Sequence, residues 1–287
     1  MCGICGFTGY RQDQETVIER MMKAIEHRGP DSKGSFCREK ITLGFRRLSI
    51  IDLEDGQQPM ESADGNLHIV FNGEIYDYKE LREELETFGI SFCTHSDTEV
   101  LVNTVQQYGE KALDKLRGMF GFAVWNEKEQ TLMLARDLFG IKPVYYAEID
   151  GHFVFASEIK SILAFPGYER KVNQKALEQY LSFQYSPLEE TFFKGIYKLM
   201  PGHMLLYKNG SYEIKTYFKP KLTPGQWNHK TNMAQLRSQL SEILKDSVKH
   251  HMLSDVEVGA FLSGGVDSGY LASSSGADQA FTVGFDE

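Results

Sequence analysis

The chain opens with Met1-Cys2-Gly3-Ile4-Cys5-Gly6, a stretch that suits both a reactive N-terminus and a buried first strand over residues 4–10. If Met1 is removed, Cys2 gains a free α-amino group, whose ordinary pKa of about 7.7–8.0 lies close to neutral pH. The nucleophilic thiol and an amine that accepts its proton would then belong to one residue. A retained Met1 would acylate that amine and block this chemistry. From this stretch alone, a cysteine nucleophile and a purely structural strand both stay open.

Cys2 and Cys5 also form a Cys-x-x-Cys pair, a spacing found in redox dithiols and in one half of many zinc sites. A zinc site would need a second pair, whereas Cys37 and Cys93 are isolated and have no spaced histidine partner. The four cysteines are also too few for a disulfide framework in a chain of this length. We therefore expect no metal at the cysteines.

Length and composition predict a globular protein of two domains. The 287 residues exceed the usual size of one domain, and 41% hydrophobic with 25% charged residues is ordinary for a globular chain. A net charge of −9, without a basic stripe, argues against nucleic-acid binding. No run reaches about 18 apolar residues and the N-terminus has no secretory pattern, so we expect no membrane segment and a cytoplasmic location.

Hydrophobic patterning over residues 1–207 predicts a layered α+β domain. Apolar residues recur at helical spacing over residues 16–26, 78–88 and 99–108. Strands are predicted over residues 4–10, 41–46, 67–72, 120–126, 131–135, 144–148, 153–156 and 203–207. Turns such as Asp150-Gly151 and Asn209-Gly210 are hairpin signals. Strands in hairpins with segregated helices indicate antiparallel sheets covered by helices.

The pattern changes after residue 207. A polar stretch that contains proline and glycine, residues 219–225, indicates an interdomain linker, which we place at residues 208–230. The remaining residues, 231–287, carry an amphipathic helix over residues 236–248 and strands over residues 258–262 and 281–284. This order predicts the start of a doubly wound α/β domain.

The strand over residues 258–262 leads into Ser263-Gly264-Gly265-Val266-Asp267-Ser268, at the predicted transition to a helix. Glycines there let backbone N–H groups face a ligand, and the N-terminus of a helix favours anions. The stretch lacks the Gly-Lys-Ser/Thr ending of a Walker A loop. It resembles the pyrophosphate-binding loop of ATP pyrophosphatases, although a Gly-rich turn that caps an ordinary helix also fits.

Polar residues within the first 100 positions suit the attack of a thiolate on an amide. Asn72 and Gly73 follow a strand and offer N–H donors for the oxyanion that such an attack creates. Arg47 offers a planar cation that can bind a carboxylate through two hydrogen bonds. Glu74 and Asp97 can hold an ammonium group as a pair, although Asp97 alone also fits a helix N-cap.

A succession of motifs makes the chain resemble the glutamine-hydrolysing asparagine synthetases over its whole length. They are Cys2-Gly3-Ile4-Cys5-Gly6, His27-Arg28-Gly29-Pro30-Asp31, Arg47-Leu48-Ser49-Ile50, Phe71-Asn72-Gly73-Glu74-Ile75-Tyr76, Ser96-Asp97-Thr98-Glu99, Arg136-Asp137-Leu138-Phe139-Gly140-Ile141-Lys142-Pro143 and the stretch from Ser263 to Ser268. The resemblance implies an α+β fold: an N-terminal-nucleophile αββα sandwich, the glutaminase domain, over residues 1–207. It also implies the start of a doubly wound α/β ATP-pyrophosphatase domain over residues 231–287.

The resemblance also implies a role for each candidate residue. Cys2 would be the nucleophile, and Asn72 and Gly73 would form the oxyanion hole. For glutamine it implies Arg47 at the α-carboxylate, Glu74 and Asp97 at the α-amino group, and the backbone of Ile50 and Ile51 along the pocket. For ATP it implies the loop residues Ser263, Gly264, Gly265, Val266, Asp267 and Ser268, with Leu262 and Val283 beside the adenine. Asp267 would also bind magnesium, so ATP and Mg²⁺ are the implied cofactors.

The implied substrates are glutamine, aspartate and ATP, with ammonia passing from glutamine to β-aspartyl-AMP. We expect the 287 residues alone to carry out only the glutaminase half-reaction, and a homodimer is compatible with the sequence. Gly269 and Met200 stand where the family usually has serine and proline. Two alternatives stay open: a related class II amidotransferase with another acceptor such as a sugar phosphate, which the loop at residues 263–268 argues against, and a non-catalytic glutamine-binding module.

Overall fold

The computed structural model describes residues 1–221 and 232–284, and the chain divides into two units, Met1–Lys219 and Pro220–Glu287. The first unit is built from antiparallel strands with helices on the outside, and the second contains a pair of parallel strands. Among the described residues, no helix has the length and apolar character needed to cross a membrane.

Strands of the first unit form two antiparallel sheets. They are β1 (Gly3–Thr8), β2 (Ser32–Cys37), β3 (Ile41–Arg47), β4 (Met60–Glu61), β5 (Leu67–Ile75), β6 (Gly118–Asn126), β7 (Thr131–Arg136), β8 (Tyr145–Ile149), β9 (His152–Ala156), β10 (Ile196–Lys198), β11 (His203–Lys208) and β12 (Ser211–Thr216). The first sheet has the order β10-β8-β9-β1-β3-β2, and the second has the order β12-β11-β7-β6-β5-β4. The first strand of the chain therefore lies inside its sheet, between β9 and β3.

The two sheets pack face to face because alternate residues of their strands are apolar. Ile4 and Phe45 of the first sheet share one buried cluster with Val70, Trp125 and Leu134 of the second sheet. Every residue of β1 is buried, which explains why this strand is apolar or small on both faces. The prediction of antiparallel sheets in an α+β fold is confirmed by these sheets.

Helices cover the outer faces of both sheets. The helices are α1 (Gln14–Ala24), α2 (Tyr78–Thr87), α3 (Asp97–Tyr108), α4 (Ile159–Leu163) and α5 (Gln174–Phe183). Helix α1 packs its buried Val17, Ile18, Met21 and Met22 on the first sheet, together with α4. Helix α3 packs against β5 of the second sheet and against α2. The layers are therefore helix, sheet, sheet, helix, which is the predicted αββα arrangement.

The predicted linker at residues 208–230 is wrong in its first part. Asn209 and Gly210 have φ values of 52° and 82° and form a tight turn that returns the chain as β12. Strand β12 pairs with β11 at the edge of the second sheet, so the first unit extends past residue 207. The hairpin signal at Asn209-Gly210 was visible in the sequence, and Tyr212 and Ile214 alternate with polar residues in β12, but this short edge strand was not predicted. Residues 222–230 of that predicted linker lie outside the described residues.

The second unit begins a parallel β-α-β arrangement, as predicted. Its described elements are α6 (Met233–His251), β13 (Gly259–Phe261), α7 (Val266–Ser275) and β14 (Gln279–Phe281). Strands β13 and β14 pair in parallel, with α7 as the connection between them. The strand predicted over residues 281–284 begins two residues earlier than expected and ends at Phe281.

Gly6 in the middle of β1 allows a close approach of neighbouring strands. A Cβ added there would lie 2.5 Å from the Thr42 carbonyl oxygen and 2.5 Å from the Phe155 ring. We expect Gly6→Ala to lower the free energy of unfolding of the first unit by about 3 kcal/mol, the upper part of the range for overpacking. The reason is that the added Cβ meets backbone at Thr42, and moving backbone costs more free energy than moving the end of a side chain. Thermal denaturation checks this, with Gly269→Ala as a control because a Cβ there meets nothing within 4 Å. Equal melting temperatures for Gly6→Ala and the unchanged protein would contradict it.

Candidate active site

Cys2 lies at the entrance to β1, where two neighbouring segments hold it. The Leu48 N–H donates to Cys2 Sγ, and Cys2 Sγ–H donates to the Leu48 carbonyl oxygen, each at 3.4 Å. Arg28 Nε donates to the Cys2 carbonyl oxygen at 2.8 Å. Burial raises the pKa of the Cys2 thiol, whereas the hydrogen bond from Leu48 and the nearby N-terminal charge act in the opposite direction. The thiol therefore needs a base beside it in order to act as a thiolate.

A cavity of about 200 Å³ opens beside this thiol. All of the residues that the sequence analysis proposed for glutamine line it: Cys2, Arg47, Ile50, Ile51, Asn72, Gly73, Glu74 and Asp97. These residues come from the position before β1, from β3, β5, the segment after β3 and the start of α3. Residues up to 95 positions apart in the sequence thus meet in one site.

Asn72 and Gly73 present their polar groups from β5 into this cavity. Asn72 is only 1% exposed, and its Nδ2 has no hydrogen-bond partner among the described residues. A buried donor left unsatisfied costs about 1–3 kcal/mol, so this amide is suited to an acceptor that arrives with a ligand. Gly73 has a packing reason to be glycine, because a Cβ there would lie 2.1 Å from the Met119 carbonyl oxygen of β6.

Arg47 lies at the end of β3 and organises the segment that follows it. Its Nη1 donates to the Leu53 carbonyl oxygen at 3.2 Å, and its Nη2 donates to the Ile51 carbonyl oxygen at 3.4 Å and also to that of Asp52. Of the five N–H donors of a guanidinium, Nε–H and one Nη1–H remain after these three bonds. Arg47 can therefore support the loop and still bind a carboxylate in the cavity.

Asp97 is the first residue of α3, and Ser96 is the N-cap that accepts from the Thr98 N–H. The alternative of Asp97 as a plain N-cap is therefore wrong. The Ile75 N–H donates to Asp97 Oδ2 at 3.1 Å. Burial raises the pKa of Asp97 to about 7, and the charge of Glu74 contributes to the rise. Two acidic side chains that face one small cavity suit a positively charged ligand group, because that group relieves their repulsion.

Other residues of the cavity were not assigned roles from the sequence. Gln58 Nε2 donates to Thr98 Oγ1 at 3.1 Å, and the Phe71 N–H donates to Gln58 Oε1 at 2.6 Å, so Gln58 ties α3 to β5. Lys142 also lines the cavity and is 6% exposed. Lys142 belongs to the motif over residues 136–143, to which the sequence assigned no function. Another member of that motif, Asp137, fixes the shape of the loop. Asp137 accepts from four backbone N–H groups, those of Phe120, Phe139, Ile141 and Lys142.

Cys2 and Cys5 do not form a dithiol. Cys2 packs against the cluster between the two sheets, whereas Cys5 belongs to the cluster under α1, on the other face of β1. Burial raises the pKa of Cys5 to about 12, so its thiol is unreactive at neutral pH. All four cysteines are free thiols. A spacing of three residues in a strand places side chains on opposite faces, which excludes the redox interpretation of this pair.

In the second unit, the loop from Ser263 to Ser268 joins β13 to α7. Gly264 has a φ of 79°, a conformation that favours glycine, and Gly265 is the N-cap of α7. The Ser268 hydroxyl donates to the Gly265 carbonyl oxygen at 3.0 Å, and it accepts from the Ser263 N–H at 3.2 Å. A Cβ at Gly264 would meet nothing within 4 Å, so a ligand can approach this backbone.

The other predicted nucleotide residues flank this loop. The Leu262 N–H donates to the Phe281 carbonyl oxygen at 2.8 Å, which links the ends of the two parallel strands, and Val283 follows β14. Asp267 lies in the first turn of α7. Among the described residues, no group of three or more His, Cys, Asp or Glu side chains could hold a metal ion. Asp267 is therefore not part of a preformed cluster of that kind in the described residues.

Comparisons with known proteins agree with this geometry. The sequence model of a glutamine amidotransferase domain matches residues 1–218, and that of asparagine synthase matches residues 239–287. Asparagine synthetase (glutamine-hydrolyzing) 1 of Bacillus subtilis (strain 168) is 44% identical over 297 aligned residues, which cover 99% of this chain and 46% of that protein. Amidase chyE of Penicillium rubens is 36% identical, over 95% of this chain and 42% of its own length. The chain thus spans less than half the length of these relatives.

Solved structures show the same fold at low sequence identity. The glutamine phosphoribosylpyrophosphate amidotransferase of B. subtilis, complexed with ADP and GMP, superposes with a TM-score of 0.57 at 18% identity, covering 98% of this chain and 65% of that one. A structure described as the allosteric regulatory enzyme of purine biosynthesis gives a TM-score of 0.60 at 17% identity, with the same coverage. At this identity the likeness concerns the fold.

The raised pKa of Asp97 makes stability depend on pH. Its folded-state pKa of about 7 exceeds the usual value of 3.8, so between these values the native state keeps a proton that the unfolded chain has lost, and stability falls as pH rises. Asp97→Asn removes this penalty while the amide oxygen can still accept from Ile75. We expect the variant to gain stability over the unchanged protein as pH rises from 5 to 8, by about 2–4 kcal/mol at pH 8.

Thermal denaturation at several pH values measures this gain. Asp114→Asn, at an exposed position, is the matched control and should show no such trend. A difference between Asp97→Asn and the unchanged protein that stayed constant from pH 5 to pH 8 would contradict the assigned electrostatics.

Proposed function

We propose, because this chain belongs to the glutamine amidotransferase family, that its first unit hydrolyses the side-chain amide of glutamine to glutamate and ammonia. The observation that carries this proposal is the meeting of four kinds of group in one small cavity. These groups are a thiol nucleophile, an unpaired buried amide donor, a guanidinium and a pair of acids. The cavity of about 200 Å³ is of the size of a small amino acid rather than a large ligand.

The charged groups of the cavity fit the two charges of an amino acid. Arg47 offers its remaining N–H donors to the α-carboxylate, and the backbone of Ile50 and Ile51 borders the same position. Glu74 and Asp97 receive the α-ammonium group, whose charge favours the ionised form of Asp97. With both ends of the amino acid held, its side-chain amide extends toward Cys2.

The chemistry begins after removal of Met1. The α-amino group of Cys2 takes the thiol proton, and the thiolate sulfur attacks the amide carbon, so that a tetrahedral intermediate forms. Asn72 Nδ2 and the Gly73 N–H donate to its oxyanion. The protonated amine returns its proton to the nitrogen, the C–N bond breaks and ammonia leaves. Water then hydrolyses the thioester to glutamate and restores the Cys2 thiol.

For the whole protein, of which residues 239–287 match asparagine synthase, we propose glutamine-dependent asparagine synthesis. The open backbone at Gly264 and the N-terminus of α7 suit phosphate groups, with Ser263, Gly265, Val266 and Ser268 completing the loop. Leu262 and Val283 would border the adenine. ATP, when bound, supplies the adenylation that activates the aspartate carboxylate. Asp267 would hold Mg²⁺ together with phosphate oxygens and water, the usual ligands of this ion.

Cys2→Ala should abolish the release of glutamate from glutamine, because no other residue supplies both the thiol and the amine. Glutamate is measured by amino-acid analysis, with intact mass confirming that Met1 has been removed. Cys93→Ala is the matched control, because Cys93 lies on the surface and outside the cavity. Glutamate release by Cys2→Ala at the rate of the unchanged protein would refute the proposed function, provided that both proteins melt at the same temperature.

Steady-state kinetics should separate binding from chemistry. Asn72→Ala is expected to lower kcat by about 10²–10³, because an oxyanion donor acts most strongly as charge develops. Arg47→Lys keeps the charge but loses the planar guanidinium, whose N–H groups hold the loop and the substrate carboxylate at the same time, so it should mainly raise KM. The assignment fails if Asn72→Ala raises KM and leaves kcat unchanged.

A further inference from the structure

Lys142 is a buried cation at the candidate active site to which the proposed reaction assigns no role. It is 6% exposed and lines the same cavity as Met1, Cys2 and Glu74. Its backbone is fixed on both sides: the Lys142 N–H donates to Asp137 Oδ2 at 2.9 Å, and Arg136 Nε donates to the Lys142 carbonyl oxygen at 2.9 Å. The side chain therefore enters the cavity from a rigid loop.

The ammonium group of Lys142 has no hydrogen bond and no ion pair within 4 Å among the described residues. Burial lowers the pKa of Lys142, while the charge of Glu74 favours the protonated form. Leaving a buried charge without a direct partner is costly, and replacing such a group with an apolar one is often neutral or stabilising. Lys142 is thus not explained by a contribution to the stability of the fold.

Lys142 and Arg28 are the two cations whose charges act on the N-terminal amine, and they differ in one respect. Arg28 Nη1 forms an ion pair with Glu158 Oε1 at 2.9 Å, so Arg28 has a carboxylate partner. The charge of Lys142 is not compensated in this way. In the proposed complex Arg47 meets the substrate carboxylate, and Glu74 and Asp97 meet the substrate ammonium. Of the two cations that act on the amine, Lys142 is the one without an ion pair within 4 Å among the described residues.

We propose that Lys142 is a positioning residue that acts through electrostatics, keeping the α-amino group of processed Cys2 neutral and favouring the thiolate. This inference rests on the proposed function, in which that amine is the base. A neutral amine can accept the thiol proton, whereas a protonated amine cannot. A nearby positive charge disfavours the protonated amine and stabilises the thiolate, so both effects favour the reactive state.

Other charged groups besides Lys142 also shift the pKa values of the N-terminal amine and of the Cys2 thiol. Burial lowers the pKa of the N-terminal amine first of all; Arg28 and Lys142 lower it further, while Cys2 and Asp31 raise it. Removal of Met1 moves the amine to the Cys2 nitrogen itself. The thiol faces Asp97, which raises its pKa, and Arg47, which lowers it, in addition to burial and the Leu48 hydrogen bond. The pKa of Lys142 is lowered by burial and by the charge of Arg28, and the charges of Glu74, Cys2 and Asp137 act in the opposite direction.

The test follows the alkylation of Cys2 by iodoacetamide as a function of pH, in the full chain with Met1 removed and without glutamine. Iodoacetamide is uncharged, so its approach does not depend on Lys142. Peptide mass spectrometry reports the rate at Cys2 and, in the same sample, at the exposed Cys93 as an internal reference. The proteins compared are the unchanged chain, Lys142→Met, Lys142→Gln and Lys142→Arg.

We expect the pH midpoint of Cys2 alkylation to rise by about one unit in Lys142→Met and Lys142→Gln, with rates about tenfold lower at neutral pH and equal at high pH. Lys142→Arg should keep the original midpoint, and Cys93 should not change in any variant. The acidic limb of kcat at saturating glutamine should move by the same amount. An unchanged Cys2 midpoint in both neutral variants would overturn the proposal, and so would an equal rise in Lys142→Arg.

These outcomes are distinct from a failure of the proposed function. Alkylation requires no glutamine, so a chain that releases no glutamate can still show the shift at Cys2. Misfolding is checked by thermal denaturation, and the neutral variants should melt no lower than the unchanged protein, because they remove an unpaired buried charge.

Discussion

The site depends on the central position of the first strand. Strand β1 pairs with β3 on one side and with β9 on the other, and the Ile4 N–H additionally donates to Ser157 Oγ at 3.0 Å. Gly3 lies opposite Arg46, so the pairing with β3 places Cys2 beside the segment that starts at Arg47. A chain terminus is usually mobile, but here the neighbouring strands hold it on both sides. Cys2, the proposed nucleophile, therefore has a fixed position without any helix or loop of its own.

The charges of the cavity fit the amino acid of the proposed function. Arg47 and Lys142 contribute positive charge, and Glu74 and Asp97 contribute negative charge, within about 200 Å³. Burying these charges in an empty cavity destabilises the folded protein, and the raised pKa of Asp97 shows this effect for one of them. A ligand that carries both an ammonium and a carboxylate relieves both costs at once. A ligand with only one of these groups would leave the opposite charge buried and unpaired, which is a stronger basis for selectivity than shape alone.

The sequence predicted the buried part of the fold well and the exposed part poorly. Strands such as β5 and β6 have continuous or alternating apolar residues and were recognised, whereas the edge strand β2 is mostly polar and was not. Strand β12 and helix α5 were also missed, although Tyr212 and Ile214 alternate in the strand and Leu177, Tyr180 and Leu181 recur at helical spacing in the helix. These apolar side chains are exposed in the structure, so the two elements contribute little to the core. The cavity residues could be named only because their motifs resemble those of a known family. Neither periodicity nor composition indicates that Asn72 and Asp97 meet, and nothing in the sequence distinguished Lys142 from a surface lysine.

The pairing of β1 with β9 also has a consequence for the order of events during synthesis. The last partner of β1 ends at Ala156, and Ser157 completes the hydrogen bonds of Ile4, so the first strand cannot reach its final place until the chain up to Ser157 has left the ribosome. Met1 is 54% exposed in the folded structure, so its removal is possible both before and after this strand is in place. The order of synthesis also leaves the Cys2 thiol without a completed cavity around it while the nascent chain is shorter than this.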